Sequence, residues 1–534
     1  MHSTTRFQAA QKIPGSATCR PANPVRTIAL AATVLCLLWS WHPPLRSVAA
    51  EKVAPPADRS ATKLLADKWD VVTIGGTRVG FGHTRSIAFQ ENGRQLNRTE
   101  MLLTIKMTRL GQTVVTAIDL HSVETPQGEL VRTRTRVTLG PTPVVAVGQV
   151  EDDQLKIRFS SLGKTTTSTL PWSPEYGGFF ALEQSLKKKP LQPGQRRQLK
   201  ALVPVFNQVA DLQLVAEDYQ QTKMLDGRLQ RLLKINTVTR LGIVEIQSTM
   251  WTDPQGEVLK MYEPATQQET FRTSRQVALQ DTEGIGPDLL VSTLIPVQGL
   301  EDADRAKSVR YRVTVAGGQP VKIFPSSASQ ATMPAQEDQA LVTVHRLKVK
   351  AKNQIDPQRG DQPTPQDRAS NNWIQSDHPE VLRLAGEVLP EETSHGLLAV
   401  ALERKVHQLI RKKDFTTALA TAAEVARSRQ GDCTEHAVLL AAMARARGIP
   451  ARVVVGLVYV PALGAFGYHM WNELWIDGAW LPLDATQGEG GTGVGHIKLA
   501  HSNLNVGAAA FLPVIQVMGR LDIEVEQVEQ AIKD

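Results

Sequence analysis

The feature that most constrains the fold is a long alternation of apolar and polar residues, which runs in short segments from residue 69 to residue 280. A period of two is typical of β-strands, because successive side chains point to opposite faces of a sheet. Turn signals such as Gly75-Gly76 separate the segments and indicate antiparallel hairpins. One helix, over residues 178–186, is predicted to interrupt them. We therefore predict an antiparallel, β-rich region here.

The periodicity changes further along the chain. Strands predicted near residues 308–316 and 341–349 indicate a second β segment, and a polar stretch with three prolines follows it. Beyond this stretch the apolar residues recur at helical spacing. The predicted helices cover residues 379–389, 394–411 and 415–427. The chain is therefore predicted to have an α+β fold, with antiparallel β-rich domains before a mixed C-terminal domain.

A chain of 534 residues is too long for a single hydrophobic core, so several domains are expected. The predicted divisions are a leader at 1–50, a β-rich N-terminal domain at 65–285, a second β segment at 286–352, a linker at 353–375, a mixed domain at 376–505 and a C-terminal tail at 506–534.

The leader has the composition of an export signal. It contains five basic residues and no acidic residue, and an apolar run at 27–41 is followed by small residues at 47–50. This pattern predicts a signal peptide cleaved before Glu51. An uncleaved N-terminal anchor is the alternative, although a spanning helix usually needs about 20 apolar residues. We expect an exported protein, periplasmic or extracellular, without a membrane span in the mature chain.

Composition argues against several classes of partner. The net charge is +7, but the basic residues are spread along the chain, so no nucleic-acid partner is indicated. The sequence contains no phosphate-binding glycine loop, dinucleotide fingerprint or metal-ligand cluster that stands out. No cofactor and no metal are therefore expected.

Cysteine usage points to one residue. The chain has three cysteines, of which Cys19 and Cys36 lie in the predicted leader. The mature chain would keep only Cys433, with no disulfide partner. A lone thiol in an oxidising compartment is a liability unless it is buried or serves as a nucleophile.

The residues around Cys433 favour the second role. Asp432 is a natural N-cap for an apolar helix that ends at Gly448, which would place Cys433 in the first turn. There the positive end of the helix dipole stabilises a thiolate, and free N–H groups can donate to an oxyanion.

A predicted hairpin supplies a base and an acid. Asp477-Gly478 indicates a two-residue turn, which would pair Ile476 with Ala479 and Trp471 with Asp484. His469 would then lie diagonal to Asp484, where Cβ atoms are about 7–8 Å apart and the two side chains can meet. A thiol, an imidazole and a carboxylate are what nucleophilic acyl transfer requires. Whether Cys433 approaches His469 depends on how the helix docks on the sheet.

Four short motifs, in this order, resemble the transglutaminase-like superfamily: Gly431-Asp432-Cys433, Gly448-Ile449-Pro450-Ala451-Arg452, His469-Met470-Trp471-Asn472-Glu473 and Leu483-Asp484-Ala485-Thr486. The resemblance covers about residues 376–503. It implies a papain-like α+β domain, with the cysteine on a helix against an antiparallel sheet. It also implies that Cys433 is the nucleophile, His469 the base and Asp484 the orienting acid. The upstream β-rich regions are similar to those that accompany this domain in exported bacterial proteins.

The sequence departs from animal transglutaminases, which use an upstream tryptophan to stabilise the oxyanion. None lies between Trp373 and Cys433. A preference for cross-linking over hydrolysis is therefore not supported. The favoured hypothesis, which rests on the predicted Cys-His-Asp geometry and the unpaired thiol, is a cysteine hydrolase acting on a protein or peptide amide. The alternatives are a transglutaminase that cross-links glutamine to an amine, and a non-catalytic module for envelope binding or assembly. The β domains are expected to bind a partner, a surface or the substrate.

Residues near Cys433, His469 and Asp484 have alternative predicted roles. Cys433, His436 and His469 could be imagined as zinc ligands, although no second ligand pair is evident. The three tryptophans of the hairpin, Trp471, Trp475 and Trp480, either line a substrate groove or pack across the strands. Glu435 and Glu473 are expected to be polar partners near the site.

Overall fold

The computed structural model describes residues 62–530 except 110–111, 139–142, 162–163, 243, 281–287, 289–292, 302, 304, 354–360, 389–392, 414–419 and 506–509. The predicted signal peptide or anchor, including Cys19 and Cys36, lies outside the described residues.

An antiparallel sheet of fifteen strands forms the N-terminal half of the described chain. Its strands are β1 (Lys63–Ile74), β2 (Thr77–Glu91), β3 (Arg94–Arg109), β4 (Gln112–Glu124), β5 (Leu130–Thr138), β6 (Val144–Glu151), β7 (Gln154–Ser161), β8 (Lys164–Pro171), β9 (Tyr176–Gly177), β10 (Arg196–Val203), β11 (Gln208–Lys223), β12 (Leu229–Leu241), β13 (Val244–Thr252), β14 (Val258–Glu263) and β15 (Gln268–Thr273).

The order of strands in this sheet is simple. β1 to β8 follow one another outward, and β15 back to β9 follow one another on the other side of β1. β1 and β15 join the two halves, with Val71 opposite Phe271, and only the short β9 runs parallel to its neighbour. The two-residue turn predicted at Gly75-Gly76 is present between β1 and β2. Local hairpins therefore build almost the whole sheet, as the alternating pattern predicts.

A second sheet joins distant parts of the chain. It contains four strands, in the order β18-β19-β17-β28. Their bounds are β17 (Ala306–Val315), β18 (Gln330–Gln336), β19 (Gln339–His345) and β28 (Leu521–Gln530). The predicted C-terminal tail at residues 506–534 thus contains β28, which pairs with β17.

The C-terminal domain contains a five-stranded sheet in the order β16-β24-β23-β27, with β25 also paired to β24. Its strands are β16 (Ile295–Pro296), β23 (Ala451–Val460), β24 (Ala465–Ile476), β25 (Ala479–Leu483) and β27 (His496–Ser502). Two short ladders join β20 (Leu347–Lys348) to β26 (Gly491–Thr492) and β21 (Lys412–Lys413) to β22 (Gln430–Gly431).

Helices cover and connect these sheets. They are α1 (Ala181–Lys188), α2 (Arg275–Ala278), α3 (Pro320–Ile323), α4 (Pro379–Gly386), α5 (His395–Leu409), α6 (Ala422–Ser428), α7 (Cys433–Ala446) and α8 (Leu512–Val517), with 3-10 turns at Pro365–Asp367 and Pro461–Leu463. α7 packs against β23 and β24, and α4, α5 and α6 pack around α7. The α+β prediction is confirmed.

Two predicted helices differ from the observed ones. The helix expected at 178–186 begins at Ala181 and ends at Lys188. The helix expected at 415–427 is observed from Ala422, because Thr421 is its N-cap and receives the Glu424 N–H on its hydroxyl. Residues 414–419 of that prediction lie outside the described residues.

The described part of the predicted linker is folded onto the C-terminal domain. Asn371, Trp373 and Gln375 are buried, and the indole N–H of Trp480 donates to the Asp361 carbonyl over 2.7 Å. One hydrophobic cluster includes side chains from the large sheet, the four-stranded sheet and the C-terminal domain. The domain boundaries themselves stay a prediction.

None of the helices in the described part of the chain is both long enough and apolar enough to cross a membrane.

Candidate active site

Helix α7 places Cys433 at its first position. The Asp432 backbone is extended, with φ −112° and ψ −150°, and its Oδ1 accepts the Thr434 N–H over 2.8 Å. In return, Glu435 Oε2 accepts the Asp432 N–H over 2.9 Å, which completes a capping box. The predicted N-cap is confirmed. The thiol therefore lies where helix N–H groups lack partners within the helix and the dipole favours negative charge.

Gly431 lets the chain pass close to this cap. Its φ is +148°, and a Cβ there would lie 2.3 Å from Cβ of Glu435. Glu435 is buried and also accepts the Ala420 N–H over 2.9 Å. Burial and the nearby Asp432 raise the pKa of Glu435 well above its usual range. Glu435 thus holds the loop before Cys433, which is the polar supporting role expected from the sequence.

The predicted hairpin is present, with Ile476 paired to Ala479 and Asn472 to Leu483. This register brings His469 Nε2 to 2.9 Å from Asp484 Oδ2. Cys433 is hydrogen-bonded to the same imidazole. Because Asp484 occupies Nε2, the nitrogen available to Cys433 is Nδ1. The docking of α7 on β24 thus brings together the three side chains that the sequence predicts as a site.

Charge within this group is strongly coupled. Burial disfavours the imidazolium form of His469, but the charges and hydrogen bonds of Asp484 and Cys433 outweigh burial and raise the pKa of His469 to about 10. Burial likewise disfavours the Asp484 carboxylate, yet His469 and His496 hold the pKa of Asp484 well below its usual range. The arrangement therefore stabilises the imidazolium form of His469 beside the Asp484 carboxylate.

His496 is a member of the site that sequence reasoning missed. Its Nε2 donates to Asp484 Oδ2 over 3.0 Å, the same oxygen that His469 uses, and both side chains are almost fully buried. The Thr486 N–H donates to the other oxygen, Oδ1, over 2.8 Å. Asp484 is thus held from three directions. His496 begins β27, which pairs with β23, and no local sequence pattern places it beside Asp484.

Helix α5 holds the segment that follows Asp484. The two oxygens of the buried Glu403 accept the Asp484 N–H over 3.0 Å and the Gly490 N–H over 2.6 Å. One turn further along, His407 Nδ1 lies 3.1 Å from the Ala485 carbonyl oxygen. Burial, reinforced by the charge of Asp484, raises the pKa of Glu403 to about 7 despite these two N–H donors. Glu403 was also missed, because its partners lie far away in sequence.

Two motif residues form a separate buried cluster. Glu473 accepts hydrogen bonds from Arg452 Nε over 2.8 Å and from Lys498 Nζ over 2.6 Å. All three side chains are almost fully buried. The Arg452 guanidinium also lies over the Trp480 ring, 4.0 Å from its centroid. These residues join β23, β24 and β27, so their role is to fix the sheet that carries His469.

His436 and Trp471 lie beside the three side chains but make contacts of their own. His436 Nδ1 bonds to the Asp432 carbonyl of its own helix, away from the ligand set imagined with Cys433 and His469. Among the described residues, the three side chains placed to hold an ion are His469, Asp484 and His496, and both histidines are already hydrogen-bonded to Asp484. Trp471 is buried, with its ring 2.6 Å from a Cβ built at Gly456, so it packs between strands.

Chemically, the arrangement provides a thiol, a proton-carrying imidazole and a fixed carboxylate. Cys433 is half-buried, and the side chain of His469 is 9% exposed.

The family model described as the transglutaminase-like superfamily matches residues 383–485. The C-terminal region carries a transglutaminase-like domain. The match includes Cys433, His469 and Asp484, confirms the resemblance inferred from the four motifs, and supports assignment to a family of cysteine enzymes.

Solved structures show weaker similarity. A predicted cysteine protease from Cytophaga hutchinsonii has 16% identity and a TM-score of 0.27, over 42% of this chain and 89% of that one. A β-barrel-like protein of unknown function from Brucella abortus has 11% identity and a TM-score of 0.28, over 39% and 96%. A predicted protease from Parabacteroides distasonis has 10% identity and a TM-score of 0.18, over 67% and 68%. No curated protein matches the chain.

Proposed function

We propose that this protein is an exported cysteine hydrolase that cleaves an amide bond in a protein or peptide. Cys433 is the nucleophile, His469 transfers protons and Asp484 orients the imidazole. The observation that carries the proposal is the hydrogen-bonded series from Cys433 through His469 to Asp484, built on the N-terminus of α7. The transglutaminase-like domain at residues 383–485 supports a peptide or protein substrate.

The first half of the reaction forms a thioester. The Cys433 thiolate attacks the amide carbon, and the carbonyl oxygen becomes an oxyanion. The backbone N–H of Cys433 is the donor we assign to that oxyanion, because it lies in the first turn of α7. The His469 imidazolium gives its proton to the leaving nitrogen, the C–N bond breaks, and the amine or ammonia departs.

The second half returns the enzyme to its starting state. His469 takes a proton from water, whose oxygen attacks the thioester carbon, and the C–S bond breaks to release a carboxylic acid. Asp484 keeps the ring oriented and stabilises its charge during both steps. Water is assigned as the attacking group because the tryptophan of animal transglutaminases has no counterpart between Trp373 and Cys433, so nothing in the sequence supports a preference for an amine.

The test offers both acceptors to one thioester. The protein is incubated with glutamine-containing peptides, with and without a fluorescent primary amine, and the products are identified by mass spectrometry. The proposal predicts a hydrolysed amide as the main product and none with Cys433→Ala. Preferential attachment of the amine would make the protein a transglutaminase instead. Equal product from Cys433→Ala would refute the role of the cysteine.

Export and docking belong to the same proposal. The leader at residues 1–50 supports secretion to the periplasm or beyond, and the β-rich regions are assigned the binding of an envelope partner, a surface or the substrate. Cell fractionation and N-terminal sequencing provide the test. A periplasmic or extracellular chain beginning at Glu51 is expected. A cytoplasmic chain that retains Met1 would contradict the proposal.

A further inference from the structure

One face of the large sheet changes from apolar to polar along its strands. Leu103, Met101, Thr99 and Asn97 alternate along β3 and therefore share this face. The neighbouring strands change in step with them. Met101 is paired with Thr84 and Leu120, Thr99 with Ser86 and Ser122, and Asn97 with Ala88 and Glu124.

Helix α1 lies over this face and is held at its polar end. Glu183 of α1 pairs with Lys68 over 3.4 Å, and Gln184 donates to Glu124 Oε2 over 2.7 Å. Glu124 is buried, also accepts the Ser122 hydroxyl over 2.6 Å, and has its pKa raised by burial. Polar contacts thus fix the helix, and they leave space along the rest of the face.

That space consists of two adjoining cavities. The first has a volume of 130 Å³, and its apolar lining includes Val72, Met101, Leu103, Phe179, Met250 and Met261. The second has a volume of 470 Å³ and a mixed lining, in which Leu65 and Phe180 lie beside the charged side chains of Glu124, Glu183, Lys187 and Lys188. Thr84, Phe180 and Glu183 line both cavities, so the two cavities lie side by side.

The free charge at the polar end is positive. Lys68 is already paired with Glu183 and Glu257. Lys187 and Lys188 lie in the last turn of α1 and are exposed, and neither forms an ion pair with another described residue. The two cavities therefore offer an apolar compartment with flexible methionine walls beside a compartment with two available ammonium groups.

We propose that the paired cavities bind a single-chain fatty acid. The end of its alkyl chain occupies the 130 Å³ cavity. The rest of the chain lies in the 470 Å³ cavity, with the carboxylate near Lys187 and Lys188. A purely apolar ligand would leave the two ammonium groups of the larger cavity without a matching group, and a purely polar ligand would leave the apolar cavity empty. This site is separate from Cys433 and does not depend on the proposed hydrolase activity.

The test titrates the full chain with a dansyl-labelled undecanoic acid and then displaces the dye with dodecanoic acid or dodecanol. Saturable binding and stronger displacement by the acid are expected. Met101→Trp fills the apolar cavity and should weaken dye binding at least about tenfold. Leu102→Trp is the matched control, because Leu102 lies on the opposite face of β3 and is 37% exposed. Circular dichroism establishes whether both variants fold.

A double variant tests the other end independently of core packing. Lys187→Gln combined with Lys188→Gln changes only exposed side chains and should reduce displacement by dodecanoic acid to the level of dodecanol. The absence of saturable binding would overturn the proposal. So would equal dye affinity in the Met101→Trp and Leu102→Trp proteins, or displacement by the acid that is indifferent to the two lysines.

Discussion

Two histidines donate to the same oxygen of Asp484. His469 and His496 donate to Oδ2 over 2.9 and 3.0 Å, while the Thr486 N–H donates to Oδ1. A carboxylate that must orient an imidazole benefits from partners that prevent its rotation. We therefore treat His496 as a positioning residue that acts through Asp484.

Replacing His496 tests this role. His496→Leu should lower kcat/KM for amide cleavage about tenfold, the effect of losing one hydrogen bond to a charged group. His496→Gln retains an N–H donor of similar reach and should restore part of the loss. The kcat/KM values of both variants are compared at a temperature where thermal unfolding shows that both proteins are folded. Equal loss in both variants would indicate a packing role instead.

The pKa of His469 predicts an alkaline limit. Asp484 and Cys433 raise this pKa from 6.5 to about 10, so the stability from the charged ring is complete below pH 6.5 and is lost as the pH rises through about 10. The leaving nitrogen needs the imidazolium proton. Amide cleavage should therefore fall about tenfold per pH unit above pH 10.

Alkylation of Cys433 serves as the control for that limit, because it requires a thiolate and no proton donor. It should not fall over the same range, provided that circular dichroism shows a folded protein. A parallel fall in both rates would mean that the protein unfolds. An activity limit far below pH 10 would contradict the assigned role of His469.

At the scale of elements, α5 supports the active-site turn through side chains one helical turn apart, Glu403 and His407. Burial raises the pKa of Glu403 from 4.5 to about 7. Its stabilising contribution is therefore complete below pH 4.5 and is lost as the pH rises through about 7. Above this range the ionised group lies close to the Asp484 carboxylate.

Glu403→Gln removes this titration and one of the two acceptors. It should cost about 1–3 kcal/mol of stability at low pH, because one buried N–H loses its partner. The difference from the unaltered protein should shrink between pH 4.5 and 7. Urea unfolding at several pH values measures it. A difference that does not vary with pH would show that Glu403 does not titrate in this range.

The parts of the site that could be predicted are those set by local sequence. The cap at Asp432 and the hairpin around Asp477-Gly478 follow from turn chemistry, and together they fix the surroundings of Cys433 and the pairing of His469 with Asp484. Glu403 lies 81 residues before its partner Asp484. Its contact depends on helix packing, which the spacing of apolar residues does not specify.

At the scale of the whole molecule, β28 links a late part of the chain to the four-stranded sheet. β28 pairs with β17, with Ile523 opposite Val313, and this covers an otherwise open edge of the four-stranded sheet. The local alternation of apolar residues predicts β17 and β19. The pairing of β17 with β28, about two hundred residues later, could not be predicted, because nothing local specifies such a partner.

Ile523→Asp tests how much the pairing of β28 with β17 contributes to stability. The side chain is 3% exposed, and an unpaired buried carboxylate should lower the thermal midpoint by several degrees or expose the sheet to aggregation. Asp522→Ala is the matched control. Asp522 is next to Ile523 on β28 but its side chain is exposed, so this substitution should leave the thermal midpoint nearly unchanged. Thermal unfolding with light scattering makes the comparison. Equal midpoints would mean that β28 contributes little to stability.

The central claim is that Cys433 is an activated nucleophile held by His469 and Asp484. The most direct measurement is the rate of Cys433 alkylation by iodoacetamide from about pH 5 to about pH 9, followed by mass spectrometry in the unaltered and Asp484→Asn proteins. The account predicts rapid labelling well below pH 8 that slows about tenfold or more in Asp484→Asn. Labelling that begins only near pH 8.5, or equal rates in both proteins, would contradict it.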